Sequence, residues 1–303
     1  MKAIITTIVI LLGTIGSVDA YPIDPRPLRK LIMESEFIII GHVLEIQTVK
    51  NKKERDYPDV IARIRISEVL QGNISESVIE VPYNPYYICP APARYEAGTD
   101  VLVFLNNHKG TYNTHALSYG VKTLTAEGLE VYKARILEMQ DIQTITDGYT
   151  KFFATVEWLV KCAEDNATRW EGTFELSPES DFMSYYTRSE LPPFQSMLSA
   201  EQRARLKKAL FATLQPGYAD MGLIDLVYRG NEEEVHKYLL TSLKNLTAEQ
   251  MWFGNFYMER LLQRKSSPQM EALVECFSKK FYDRADEKEL KNIIQEFVAL
   301  AEH

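Results

Sequence analysis

The segment from Trp170 to Phe194 has the residue types of a binding surface. Six of its 25 residues are aromatic, against 11% in the whole chain, and charged side chains alternate with them. Aromatic side chains give a large contact area at a small cost in conformational entropy, which suits recognition of a protein or peptide. The candidate ligand contacts are Trp170, Glu171, Asp181, Tyr185, Tyr186 and Arg188. The same rings would also pin a long connector to a helical domain, so both interpretations stay open.

A second, smaller aromatic group follows Pro85 and consists of Tyr86 and Tyr87. It lies in a loop of the strand-rich half, and loops at the rim of small barrels bind ligands. The alternative is an ordinary ordered loop.

Enzymatic chemistry has little support in the sequence. The chain lacks Gly-x-Ser-x-Gly, His-Glu-x-x-His and a phosphate-binding loop. Glu232 and His236 lie one helical turn apart and could hold a metal, but the carboxylates after Asn231 are also typical of a helix N-terminus. We therefore predict no catalytic residues, no metal and no cofactor. The remaining enzyme hypothesis is a hydrolase with its site at the junction of the two halves of the chain, around residues 170–190.

Three cysteines are too few for a disulfide scaffold. Cys162 and Cys276 both lie in the second half and would be able to pair in an oxidising compartment. The alternative is that the thiols are buried separately as small hydrophobic groups.

Residues 1–20 have the pattern of a cleavable signal peptide. Lys2 precedes an apolar run from Ala3 to Leu12, and small residues stand at Val18 and Ala20. The run is too short to cross a bilayer of about 30 Å. We expect a mature chain from Tyr21 that is secreted or periplasmic, soluble and without a membrane anchor.

The charge of the chain is unevenly distributed. Lys and Arg number 12 in residues 21–124, equal to Asp and Glu, whereas residues 125–303 carry 21 basic and 29 acidic side chains. Non-specific nucleic-acid binding depends on Lys and Arg neutralising phosphates, so we expect no nucleic-acid partner.

The two halves follow different hydrophobic periods. Residues 61–70 alternate between apolar and polar side chains, and Gly41 interrupts an apolar run at a place suited to a bulge. Five predicted strands joined by turns indicate a small β-barrel in residues 21–124.

From Ala126 onward the period is that of a helix. The helix containing Val156 and Trp158 is expected to be buried on most sides, and a later one is expected to begin at Ser199, capped with Gln202. We predict an all-α helical bundle or short solenoid over residues 125–303, and hence an α+β chain of two domains.

Residues 33–124 resemble the netrin/TIMP-like domain, an OB-type barrel of extracytoplasmic proteins. The resemblance rests on Glu36 to Val43 with its Gly-x-Val ending, on Ile66 to Gly72, and on Cys89 followed by an aromatic residue, a glycine and the buried run from Val101 to Leu105. It implies a five-stranded OB-like barrel.

The family's metalloproteinase inhibitors chelate zinc through the amine of an N-terminal cysteine. The predicted mature terminus here is Tyr21, and no cysteine precedes Cys89. The resemblance therefore implies a fold and an extracytoplasmic setting, without that inhibitory activity. The predicted function is an exported binding protein with a protein or peptide partner, and the alternative is the junction hydrolase.

Overall fold

The computed structural model describes residues 24–49, 59–86, 91–180 and 194–302. Over these residues the chain is α+β: a short helix, an antiparallel six-stranded sheet and then nine further α-helices. The strands are β1 Phe37–Val49, β2 Asp59–Gln71, β3 Val78–Tyr83, β4 Asp100–His108, β5 Thr111–Thr114 and β6 Val121–Thr123. The sheet has six strands where five were predicted, and the additional strand is the three-residue β6, which pairs with β4.

The strand order is β3-β2-β1-β4-β5. The two ends of this path, β3 and β5, lie next to each other, but the described residues form no hydrogen-bonded ladder that would close the sheet. Tyr95 spans the gap: its ring packs edge-on against Tyr83 of β3 at 5.2 Å, and its hydroxyl lies 2.6 Å from Thr114 Oγ1 of β5.

Both faces of the sheet are buried at β4. Leu102 and Phe104 join the core shared with the helices, whereas Val101, Val103 and Leu105 join a second core on the opposite face. This division follows from the two-residue period of a strand.

The helices are α1 Leu28–Glu34, α2 Ala126–Thr144, α3 Gly148–Glu164, α4 Arg169–Leu176, α5 Ala200–Ala212, α6 Met221–Tyr228, α7 Glu232–Lys244, α8 Gly254–Leu262, α9 Pro268–Tyr282 and α10 Glu287–Ala301. Side chains fix several of their starts. The Ser199 hydroxyl accepts from the Gln202 N–H, and the Gln202 side chain accepts from the Ser199 N–H, which confirms the predicted capping box. Within the described residues, no helix has both the length and the apolar character needed to cross a membrane.

Two expectations need correction. The first part of the predicted connector 170–194 is the buried helix α4. Of the two possibilities for Cys162 and Cys276, the disulfide is not formed: Cys162 is a buried free thiol on α3, and Cys276 is a free thiol on α9 that is exposed rather than buried. The predicted signal peptide, Tyr87, Asp181, Tyr185, Tyr186 and Arg188 lie outside the described residues.

Candidate functional site

Helix α4 connects the sheet to the helical half of the chain. Glu171 and Glu175 lie one turn apart on it, and both are buried. A spacing of four residues places two side chains on the same face of a helix, so both carboxylates reach the same neighbouring elements.

Glu171 is 1% exposed and accepts hydrogen bonds from three groups of the chain. Its Oε1 lies 2.7 Å from Lys122 Nζ and 2.9 Å from the Tyr132 hydroxyl. Its Oε2 accepts from the backbone N–H of Leu28 at 2.7 Å. Pro27 is the N-cap residue of α1 and has no side chain that could accept a hydrogen bond from the first turn. Glu171, 143 residues away in the sequence, supplies the missing acceptor to the Leu28 N–H.

Glu175 forms a bidentate ion pair with Arg29 of α1. Arg29 Nε donates to Glu175 Oε1 at 3.0 Å, and Arg29 Nη2 donates to Glu175 Oε2 at 2.5 Å. Burial raises the pKa of Glu175, and the Arg29 guanidinium opposes that rise. Because both carboxylates are buried and paired within the chain, they give no support to a hydrolytic site at this junction.

Trp170 is partly buried beside the same junction. Its ring stacks on Tyr119 at 5.8 Å and contacts Phe174 at 5.3 Å, and Lys122 Nζ lies 5.8 Å from its centroid. The Tyr119 loop is held in a costly conformation, since Ala116 and Leu117 have φ values of 55° and 54°. At Trp170 and Glu171, pinning of the segment is therefore better supported than ligand binding.

Tyr86 lies in the turn after β3, with its side chain half exposed. Its backbone N–H donates to Asn84 Oδ1 at 3.0 Å, the geometry of an Asx turn. This placement is compatible with either prediction for the loop, an ordered turn or a rim contact.

A cleft of about 460 Å³ lies between the start of α2, the end of α3 and the end of α5. Most of its polar groups bond within the chain. Arg169 donates to Asp220 and Thr213, and Glu164 pairs with Arg205. The cleft therefore offers few uncommitted groups to a ligand.

The exposed aromatic pair at the start of α3 has no obvious role in packing. Tyr149 is 74% exposed and Phe153 is 37% exposed, and their rings lie 4.6 Å apart. Phe153 contacts Phe152, which stacks on the buried Phe194 at 5.4 Å. We call Tyr149 and Phe153, supported by Phe152 and Phe194, the α3 aromatic surface.

Sequence reasoning missed this surface, although the sequence holds a signal for it. Tyr149 and Phe153 belong to the row of side chains that continues with Glu157 and Lys161. A row that ends in charged residues faces solvent, so aromatic residues in that row are exposed.

Metal binding gains no support. Within the ranges that the structure describes, no group of three His, Cys, Asp or Glu side chains is placed to hold an ion. Glu232 is exposed at the start of α7, and backbone N–H groups lower its pKa, as expected of a residue at a helix N-terminus.

His236, one turn later, is buried, and among the described residues its Nδ1 has no hydrogen-bond partner. Burial and then the Arg264 guanidinium lower its pKa from 6.5. The unfolded chain therefore binds a proton more readily than the folded chain. Stability from this group is complete above pH 6.5 and is lost as the pH falls below it.

We expect His236→Gln to reduce this pH dependence. Urea unfolding is measured at about pH 7.5 and about pH 5.5 for both proteins. Between these two values the free energy of unfolding should fall more steeply for the wild type than for the variant, by at most about 1.4 kcal/mol per pH unit for one proton. Equal slopes for the two proteins would contradict the assignment.

The chain matches no protein-family model, and its comparison with curated proteins finds no significant match.

Proposed function

We propose that this is an exported binding protein whose partner, a protein or peptide, docks on the α3 aromatic surface. The observation that carries the proposal is the exposure of Tyr149 and Phe153 as a pair of contacting rings on a helix whose second half is well packed. Aromatic side chains dominate the energetics of many protein interfaces, and a rigid support lowers the entropic cost of binding.

The proposed setting is extracytoplasmic, either secreted or periplasmic, with residues 1–20 removed. The support is the short apolar run and the small residues at Val18 and Ala20.

The sheet is proposed to be a netrin/TIMP-like, OB-like barrel. The OB fold is a five-stranded, partly open barrel. The strand order, the proximity of β3 to β5 and the bridging position of Tyr95 between them support this proposal.

The binding proposal is tested by capture of a partner from the native compartment. We expect the wild type to retain a partner that Tyr149→Ser/Phe153→Ser does not retain, because the variant lacks both of the exposed rings that the partner would contact. Unfolding of both proteins is measured as well, since exposed positions should change stability by only about 0.5 kcal/mol each.

The matched control is Leu214→Ser/Tyr282→Ser. These side chains are 92% and 81% exposed at other places in the helical half, so the control removes a similar apolar surface. If the two double variants retain the same partners in the same amounts, the α3 aromatic surface is not the binding site.

A further inference from the structure

We propose that the partner segment that docks on the α3 aromatic surface is basic and partly apolar, a short stretch of Arg or Lys mixed with aliphatic side chains. This inference rests on the proposed function and adds the chemistry of the partner. It is argued from the two rings, from the charged groups around them and from the charge of the helical half.

The rings themselves favour a cation. An aromatic face carries negative electrostatic potential, and guanidinium or ammonium groups bind over it. The chain already uses this contact elsewhere: Arg29 lies 5.7 Å from the Phe194 centroid, at the buried end of the same ring series. Tyr149 and Phe153 are 74% and 37% exposed, so both a cation and an aliphatic side chain can reach their rings from solvent.

Three exposed carboxylates lie on the elements around the rings: Asp141, Asp147 and Glu201. Asp147 caps α3 two residues before Tyr149, accepting from the Thr150 N–H. Asp141 lies in the last turn of α2. That turn is held against the start of α3, because Lys151 of α3 donates to the backbone carbonyl of Gln143 in α2.

Glu201 lies in the first turn of α5. That turn lies beside α3, because the neighbouring Gln202 donates to Glu157 at 2.8 Å. Within the described residues, Asp141, Asp147 and Glu201 take part in none of the ion pairs.

Two of the nearby cations are neutralised by carboxylates of the chain: Lys161 pairs with Glu138, and Arg205 pairs with Glu157 and Glu164. Lys151 and Arg203 donate to backbone carbonyls and keep their charge, but the three carboxylates outnumber them. Together with the excess of acidic over basic residues in 125–303, 29 against 21, this arrangement attracts a positively charged segment.

The test uses synthetic peptides of about twelve residues and fluorescence anisotropy. One peptide mixes Arg, Leu and Gly. A second has Glu in place of Arg, and a third has Ser in place of Leu. We expect the Arg/Leu peptide to bind most tightly, with an affinity that falls as salt is added. Tyr149→Ser/Phe153→Ser should weaken this binding roughly tenfold.

The role of local charge is tested with Asp141→Asn/Asp147→Asn. Asn caps a helix about as well as Asp, so α3 should keep its start. We expect this variant to weaken binding of the Arg/Leu peptide roughly threefold, about 0.65 kcal/mol. The control Glu249→Gln/Glu296→Gln removes the same number of charges from exposed positions elsewhere and should leave binding unchanged.

Two results would overturn the inference: equal binding of the Arg and Glu peptides, or equal effects of the two charge variants. The inference about the partner's charge can also fail while the proposed function holds. This is the case if a captured partner needs Tyr149 and Phe153 but binds equally well at low and high salt. If Tyr149→Ser/Phe153→Ser captures the partner as well as the wild type does, the proposed function itself is contradicted.

Discussion

Replacing Glu171 by alanine is expected to lower the free energy of unfolding by about 3–5 kcal/mol, because it leaves a partly buried cation and two backbone or side-chain donors without their acceptor. Lys122 would lose its carboxylate, and the Tyr132 hydroxyl and the Leu28 N–H would lose their acceptor. Burial and then the Glu171 charge raise the pKa of Tyr132, so its hydroxyl stays protonated and must donate to another group. The unsatisfied Tyr132 and Leu28 donors, at about 1–3 kcal/mol each, account for much of this total.

This prediction is checked by guanidinium unfolding followed by tryptophan fluorescence, since Trp170 lies on α4 and Trp158 lies on the neighbouring α3. Glu171→Gln should have an intermediate effect, because its carbonyl still accepts hydrogen bonds but carries no charge. The control Glu296→Gln, at an exposed position on α10, should change stability by less than about 0.5 kcal/mol. A loss below about 1 kcal/mol for Glu171→Ala would contradict the anchoring role and restore Glu171 as a candidate ligand contact.

Gly172→Ala should cost about 3 kcal/mol, although alanine is the better helix former. A Cβ at position 172 would lie 2.3 Å from the Leu159 carbonyl oxygen and 2.5 Å from the Ala163 nitrogen. Both are backbone atoms of α3, so the two helices would have to separate. That movement would also displace Glu171 from Lys122 and from α1.

The matched control is Gly148→Ala at the first residue of α3. No heavy atom lies within 4 Å of a Cβ built there, so stability should change by less than about 1 kcal/mol. Both variants are measured by the same unfolding experiment. If Gly172→Ala is as stable as Gly148→Ala, the close contact between α3 and α4 does not contribute to stability as described.

Local pattern was enough to predict the class and most element types of this chain. The two-residue period around β1 and β2 and the helical period after Ala126 reflect which face of an element meets a core. The break at Gly41 is confirmed by a register shift between β1 and β2. The expectation that the helix containing Val156 and Trp158 is buried on most sides is confirmed for its second half, whereas its first turns are exposed. These are properties of residues near one another in the sequence, which is why the sequence carries them.

The tertiary structure decided the role of α4. Glu171 and Trp170 have the composition of a binding segment, yet their neighbours Leu28, Lys122 and Tyr119 come from distant parts of the chain. A carboxylate binds a ligand or stabilises the fold according to whether another part of the chain brings a cation to it, and local spacing does not encode that. The exposure of Tyr149 and Phe153 depends on which face of α3 the neighbouring helices cover, and the row that these residues share with Glu157 and Lys161 is its only trace in the sequence.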